Sequence, residues 1–321
     1  MQESASKKTS SVVISVIVVP LRGHSDLQRC LRALSQQSGV QAPEIIVPYD
    51  QAISHVSKLA AEFPTIQFLP ARGRRTYAEL RALGVQQATG AIIALTEDHC
   101  IPQADWCEQI LQAHSGPYAA VGGAVEKSGS DTMVNWALYL ADYIRYMNPR
   151  PASVVDHLSD CNVTYKRAAL DPIQAVWQVE FHEPSVHAAL QQQGELLWFA
   201  PTVVVNQQRT MRFGAALRDR YIFGRLFGSE RALLMTKGRR AFYAMMAFLL
   251  PFLLVGRVTQ HVFGKRRCIE AFMFALPMLI ILSVAWATGE LIGYVTARPE
   301  TSLTPQLQTA LEHSVEQKVA T

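Results

Sequence analysis

Ala91-Ile92-Ile93-Ala94-Leu95-Thr96-Glu97-Asp98-His99 runs from an unbroken apolar segment straight into two adjacent carboxylates. Five apolar residues in succession read as a strand covered on both faces. Carboxylates side by side at its end repel one another unless a cation or hydrogen-bond donors intervene. The pair therefore marks a candidate ligand site. Its bland alternative is that Asp98 serves as an acid at the start of the helix read over Ala104 to His114.

Upstream the same unit repeats. Val12 to Val19 is a β-branched strand stopped by Pro20 and Gly23, and Asp26 to Gln37 carries Leu27, Leu31 and Leu34 at helical spacing. Glu44 to Val47, ending at Pro48-Tyr49-Asp50, precedes a helix from Ile53 to Glu62, and Ile66 to Leu69 precedes one from Tyr77 to Ala88. This alternation predicts an α/β domain with a largely parallel sheet. Ligands of such sheets sit beyond the carboxyl ends of the strands, so Pro20, Asp50 and Glu97-Asp98 are expected in one cleft.

Downstream lie a strand around Ala119 to Val125 and a helix over Thr132 to Met147, with Trp136, Leu140, Tyr143 and Met147 on one face. That face reads as cover for the sheet or the membrane ahead of a sugar platform. Two apolar stretches follow. Ala241 to Val255 is about 15 residues and contains Pro251, short of the roughly 20 a span needs, whereas Ala271 to Val295 is long enough. Lys237, Arg239 and Arg240 precede the first stretch, and Arg257, Lys265, Arg266 and Arg267 follow it. Either the first stretch is re-entrant or interfacial while the second crosses, or the two form a hairpin. The expected division is a tail at 1–11, a catalytic domain at 12–230, membrane-associated helices at 231–298 and a polar tail at 299–321.

The composition fits this picture. Of 321 residues, 49% are hydrophobic and 17% charged, and the apolar residues concentrate after Arg240. The net charge of +4 gathers around those stretches, which suits anionic lipid headgroups, so a membrane surface and no nucleic acid polymer is the expected partner. Five cysteines without a CxxC pair suit reduced thiols and a catalytic part facing the cytoplasm. No second His or Cys stands near His99 and Cys100 to complete a transition-metal set.

The order of these parts resembles family-2 glycosyltransferases of the GT-A fold. Ser15-Val16-Ile17-Val18-Val19-Pro20 is similar to their opening strand, and Glu44-Ile45-Ile46-Val47 with Asp50 to their second strand and base-reading acid. Arg81-Ala82-Leu83-Gly84, then Ala88-Thr89-Gly90-Ala91-Ile92-Ile93, resembles the helix and strand leading to their DxD motif, whose place Thr96-Glu97-Asp98 takes. Asn162 to Arg167 resembles the segment lining the acceptor side, His182-Glu183 their Glu-Asp pair, and Arg209 to Phe213 their Q-x-x-R-W. Thr96 stands where the first acid is usual, and Leu21-Arg22-Gly23 replaces Thr-Tyr-Asn.

The resemblance implies an inverting transfer with a divalent Mg²⁺ or Mn²⁺ on Asp98 and Glu97, and a UDP- or GDP-sugar held by Pro20, Asp50, Arg81, Glu97 and Asp98. Glu183 is the expected general base, with Glu180 as its alternative. Asn162, His182, Arg209 and Arg212 are expected on the acceptor and phosphate side. Arg209 and Arg212 read equally as part of a basic surface nearing the membrane, and His182 as a surface histidine. The expected product chemistry is envelope or exopolysaccharide synthesis on a lipid-linked acceptor at the cytoplasmic membrane. The rival expectation is a catalytically idle scaffold of a polysaccharide assembly. Nucleotidyl transfer is disfavoured, because no glycine-rich phosphate loop follows the first strand.

Overall fold

A computed structural model describes residues 13–21, 24–39, 42–51, 56–233 and 235–298. The expected tails at 1–11 and 299–321, Arg22, Gly23, and the start of the helix expected from Ile53 lie outside the described residues.

The alternation read from the sequence is present as β1 (Ile14–Val19), α1 (His24–Ser35), β2 (Glu44–Tyr49), α2 (Val56–Glu62), β3 (Gln67–Pro70), α3 (Tyr77–Gln87) and β4 (Ile92–Glu97). Next come β5 (Cys100–Pro102), α4 (Trp106–His114), β6 (Ala120–Lys127), α5 (Met133–Tyr143), β7 (Ser153–Val154) and β8 (Asn162–Lys166). One-turn helices α6 (Arg167–Leu170) and α7 (Gln174–Trp177) lead to α8 (Glu183–Gln192) and β9 (Leu197–Gln207). The sheet order is β3-β2-β1-β4-β8-β6-β9-β5, with β7 beside β9. β1 to β4 are mutually parallel, and β8 enters antiparallel between β4 and β6. The architecture is the mostly parallel GT-A sheet that the sequence predicted.

Register aligns the strand ends. Val19 lies opposite Glu97, Tyr49 opposite Pro70, and Thr96 opposite Asn162, so β1, β2 and β4 finish, and β8 begins, at one edge. One face of the sheet packs under α1, α4 and α5, the other under α3 and α8. Thr76 and Glu79 close a reciprocal capping box at the start of α3, which fixes where Arg81 projects. The helix expected over Thr132 to Met147 ends at Tyr143, ahead of Asn148-Pro149.

The chain closes in α9 (Phe213–Leu233), α10 (Lys237–Met246), α11 (Leu250–Lys265) and α12 (Ile269–Thr296), so the division expected at 230–231 falls inside α9. Lys237–Lys265, a run of 29 residues, and Ile269–Thr296, of 28, are each long and apolar enough to cross a membrane. The first run exceeds the 15 residues expected because the helix continues past Arg257, and Pro251 sits in the first turn of α11, where its missing N–H goes unneeded. Only 11% of the most apolar window of that run is buried, which sets it apart from the core helix of a soluble bundle.

Candidate active site

Arg81, Glu97 and Glu183 meet at the shared strand edge. Arg81 is 1% exposed; its Nη2 donates to Glu97 Oε1 at 2.8 Å and its Nη1 to Glu183 Oε1 at 2.5 Å. The same guanidinium lies over the Tyr77 ring, 5.1 Å from its centre. Burial of two carboxylates is unfavourable unless a cation satisfies both, and the fork geometry of arginine does so. Arg81 thus joins the two acids from within the site.

The two acids respond differently from free carboxylates. Burial, with the Asp160 charge adding to it, pushes Glu183 up to about 7 against the pull of Arg81. Burial and Asp160 likewise raise Glu97, while His99 and Arg81 pull it down. Asp98 is fully buried, and its Oδ2 accepts from the Leu21 amide at 2.8 Å, which joins the β4 end to the loop after β1. The His99 ring stands between the two acids, Nε2 3.4 Å from Glu97 Oε2 and Nδ1 3.5 Å from Asp98 Oδ1.

Thr96 turns the other way. Its hydroxyl donates to the Cys161 carbonyl at 3.0 Å, inside the sheet. Asn162 is also interior: its amide donates to the carbonyls of Ala124 and Val203, and its Oδ1 accepts from Trp106 Nε1. The structure brings Asn162 to the sheet core rather than to the cleft. Pro20 is buried at the end of β1, and Asp50, at the end of β2, accepts from the Arg75 amide at 2.9 Å. His182 is half-buried, 3.4 Å from Glu180, with its ring edge-on to Tyr77. Arg209 faces Asp142 and Asp219 at 3.5 and 3.6 Å and so ties the end of β9 to α5 and α9, while Arg212 is exposed just before α9.

Sequence reading missed Asp160. This exposed acid, two residues before Asn162, acts electrostatically on Arg81, Glu97 and Glu183, and its carbonyl lies 3.5 Å from Arg81 Nη2. The available signal was an acid at the mouth of the segment already matched to the acceptor side. Tyr77, at the first position of α3, was passed over as a helix residue.

Among the described residues no group of three or more His, Cys, Asp or Glu is arranged to hold a metal ion. The donor set at the β4 end is two carboxylates with hard oxygen atoms, one of them raised by burial. That set fits a hard divalent cation which takes its remaining ligands from a diphosphate and water.

Residues 15–173 match the family model described as Glycosyl transferase family 2. The chain is similar to Glycosyltransferase AglE of Haloferax volcanii, 26% identical over 125 residues, which are 37% of this chain and 41% of that protein. The chain thus spans under half the length of this relative. Strand order, the shared edge and this match agree, and the chain carries a glycosyl transferase family 2 domain of the GT-A fold over residues 15–173.

Proposed function

We propose that the chain is an inverting glycosyltransferase moving a sugar from a UDP- or GDP-sugar to a lipid-linked or membrane-proximal acceptor, in envelope or exopolysaccharide synthesis at the cytoplasmic face of the inner membrane. The observation that carries this reading is Glu183, buried, held by Arg81 and raised to about 7. A general base works best with its pKa near the operating pH. Glu183 takes the proton of the acceptor hydroxyl as that oxygen bonds to the sugar anomeric carbon and the bond to the nucleotide diphosphate breaks. Arg81 fixes the Glu183 rotamer, and His182 at the rim orients the acceptor or its phosphate. Asp98, with Glu97 beside it, would hold Mg²⁺ or Mn²⁺, which supplies charge compensation for the leaving diphosphate.

A cationic cluster supports an acceptor carrying phosphate. His261 faces the charges of Lys265, Arg257, Arg145 and Arg150, contributed by α11 and the segment after α5. Arg145 and Arg150 both lie on the Tyr146 ring, and Asp160 acts electrostatically on Tyr146 as it does on Glu97 and Glu183.

Thr96 supports a second reading. With its hydroxyl committed to Cys161, the first acidic position of the motif is lost, as in a catalytically idle scaffold. A panel of UDP- and GDP-sugars with Mn²⁺, read by thermal shift, separates the two. Binding of one donor raises the melting temperature by mass action. A flat response across the panel supports the scaffold.

A further inference from the structure

The closing helices have a geometry that no perpendicular crossing accommodates. α9 and α12 run side by side in the same direction: a Cβ on Gly224 would lie 2.2 Å from the Trp286 carbonyl oxygen, and one on Gly228, a turn further along, 2.4 Å from that of Glu290. Only glycine allows backbones this close. α9 carries Arg218, Asp219, Arg220, Arg225, Glu230 and Arg231, and each such residue at a bilayer centre costs roughly 2.5–3.5 kcal/mol. Hydrocarbon around the second half of α12 would have to take in Arg225 and the Arg231–Glu290 pair as well.

The first half of α12 is no freer. Phe272, Ala275, Leu279 and Leu282 are buried in the core that α5 shares with the sheet. At the turn before it, Lys265 donates to the carbonyls of Met147 and Pro149, and Arg267 pairs with Glu126 on β6. α10 and α11 return antiparallel to α12, with Arg240 bonded to the carbonyls of Tyr294 and Val295, and Phe263 packed on Phe272. A span needs about 20 residues of helix. α12 cannot supply them without drawing α5 or α9 into lipid.

The opposite side of this layer is apolar and exposed. Phe248 is 69% and Phe252 76% exposed, with Met245 and Leu253 beside them and Phe274 and Ile281 on α12. Between α11 and α12 the same side holds an apolar groove of about 680 Å³. Exposed cations stand along the run that lines it, Lys237 and Arg239 at its start and Arg266 just past its end, with Arg257 on α11 between. An apolar face accompanied by cations complements the acyl boundary and phosphates of a single leaflet.

We infer that α10, α11 and α12 form a monotopic platform lying in the plane of one leaflet, so that neither apolar run crosses and both ends of the hairpin stay on the side of the catalytic domain. This departs from both topologies expected from the sequence in keeping α12 out of a crossing, and it stands independently of sugar transfer.

Gly238 and Gly264 lie near opposite ends of the first run, each in open space. Gly238→Cys and Gly264→Cys, in sealed anionic vesicles with the catalytic domain outward, are treated with a membrane-impermeant maleimide. Mass spectrometry then separates these labels from the native Cys268. The platform predicts that both sites label in intact vesicles to within about twofold of their labelling in detergent. Protection of site 238, with at least tenfold labelling on adding detergent while site 264 labels freely, overturns it. Wild-type protein offers the same test through trypsin cleavage at Lys237 and Arg239, expected from outside in intact vesicles. Phe248→Glu with Phe252→Glu is expected to release the protein from preformed vesicles. A detergent-free dimer of wild type that ignores vesicles would overturn the lipid assignment in favour of a second copy.

Discussion

Arg81 on α3 and Glu183 at the start of α8, 102 positions apart in the chain, are joined by a buried 2.5 Å ion pair. The other arm of the guanidinium holds Glu97, so one side chain locks α3, the β4 end and α8 together. Arg81→Ala leaves two buried acids facing each other, and breaking such pairs costs about 3–5 kcal/mol. Urea unfolding should show a loss of that order. Arg81→Lys should recover only part of it, because an ammonium cannot bond both acids with the same fork.

Glu183 sets a pH dependence. Protonated, it cannot accept the acceptor proton, so kcat should rise with pH through an apparent pKa near 7 and then level. Glu183→Gln should abolish that limb and lower kcat by roughly 10²–10⁴, with the donor KM within a few-fold of wild type. A pH profile of nucleotide release at saturating donor checks both.

His114 and His187 make the fold acid-labile. Burial depresses each to about 4, with His114 against the Thr164 hydroxyl and His187 against that of Tyr165. Their folded values lie below the ordinary 6.5, so the unfolded chain binds more protons between 6.5 and 4. Their contribution to stability is therefore full above about pH 6.5 and falls as the pH drops toward 4, by up to about 3 kcal/mol each. Urea midpoints between pH 7.5 and 4.5 should fall accordingly, and the slope should flatten in His187→Gln.

Gly289 carries the close approach of α9 to α12. Gly289→Val places a branched side chain against the Tyr221 carbonyl and should destabilise the helical layer by about 1–3 kcal/mol. Gly238→Ala, in open space on α10, should be neutral or slightly stabilising. Thermal unfolding in detergent distinguishes them.

The β-α alternation was legible because each strand is a short apolar run closed by Pro, Gly or an acid, and those signals are local. β9 was not. Pro201 interrupts Leu197–Gln207, and the pairing with β6 jumps from Gly123–Ala200 to Ala124–Val204, an irregularity no period-2 reading anticipates. Glu97 stood out as an acid at a strand end and Glu183 only through the resemblance, and their joining by Arg81 depends on how α3 and α8 pack on the sheet. Asn162 matched a motif while its side chain serves the sheet. The topology of the closing helices was illegible for a related reason. Apolar length alone suggests crossing, and the close approaches at Gly224, Gly228, Gly289 and Gly293 reveal that a charged helix accompanies α12.

The most direct test of the site is turnover of UDP- and GDP-sugars with Mn²⁺ at pH 7.5, followed as released nucleotide, in wild type, Asp98→Ala and Glu183→Gln. The account predicts turnover in wild type and a loss of at least about 100-fold in each variant, the scale expected for removing a general base. Equal turnover in all three proteins would contradict it.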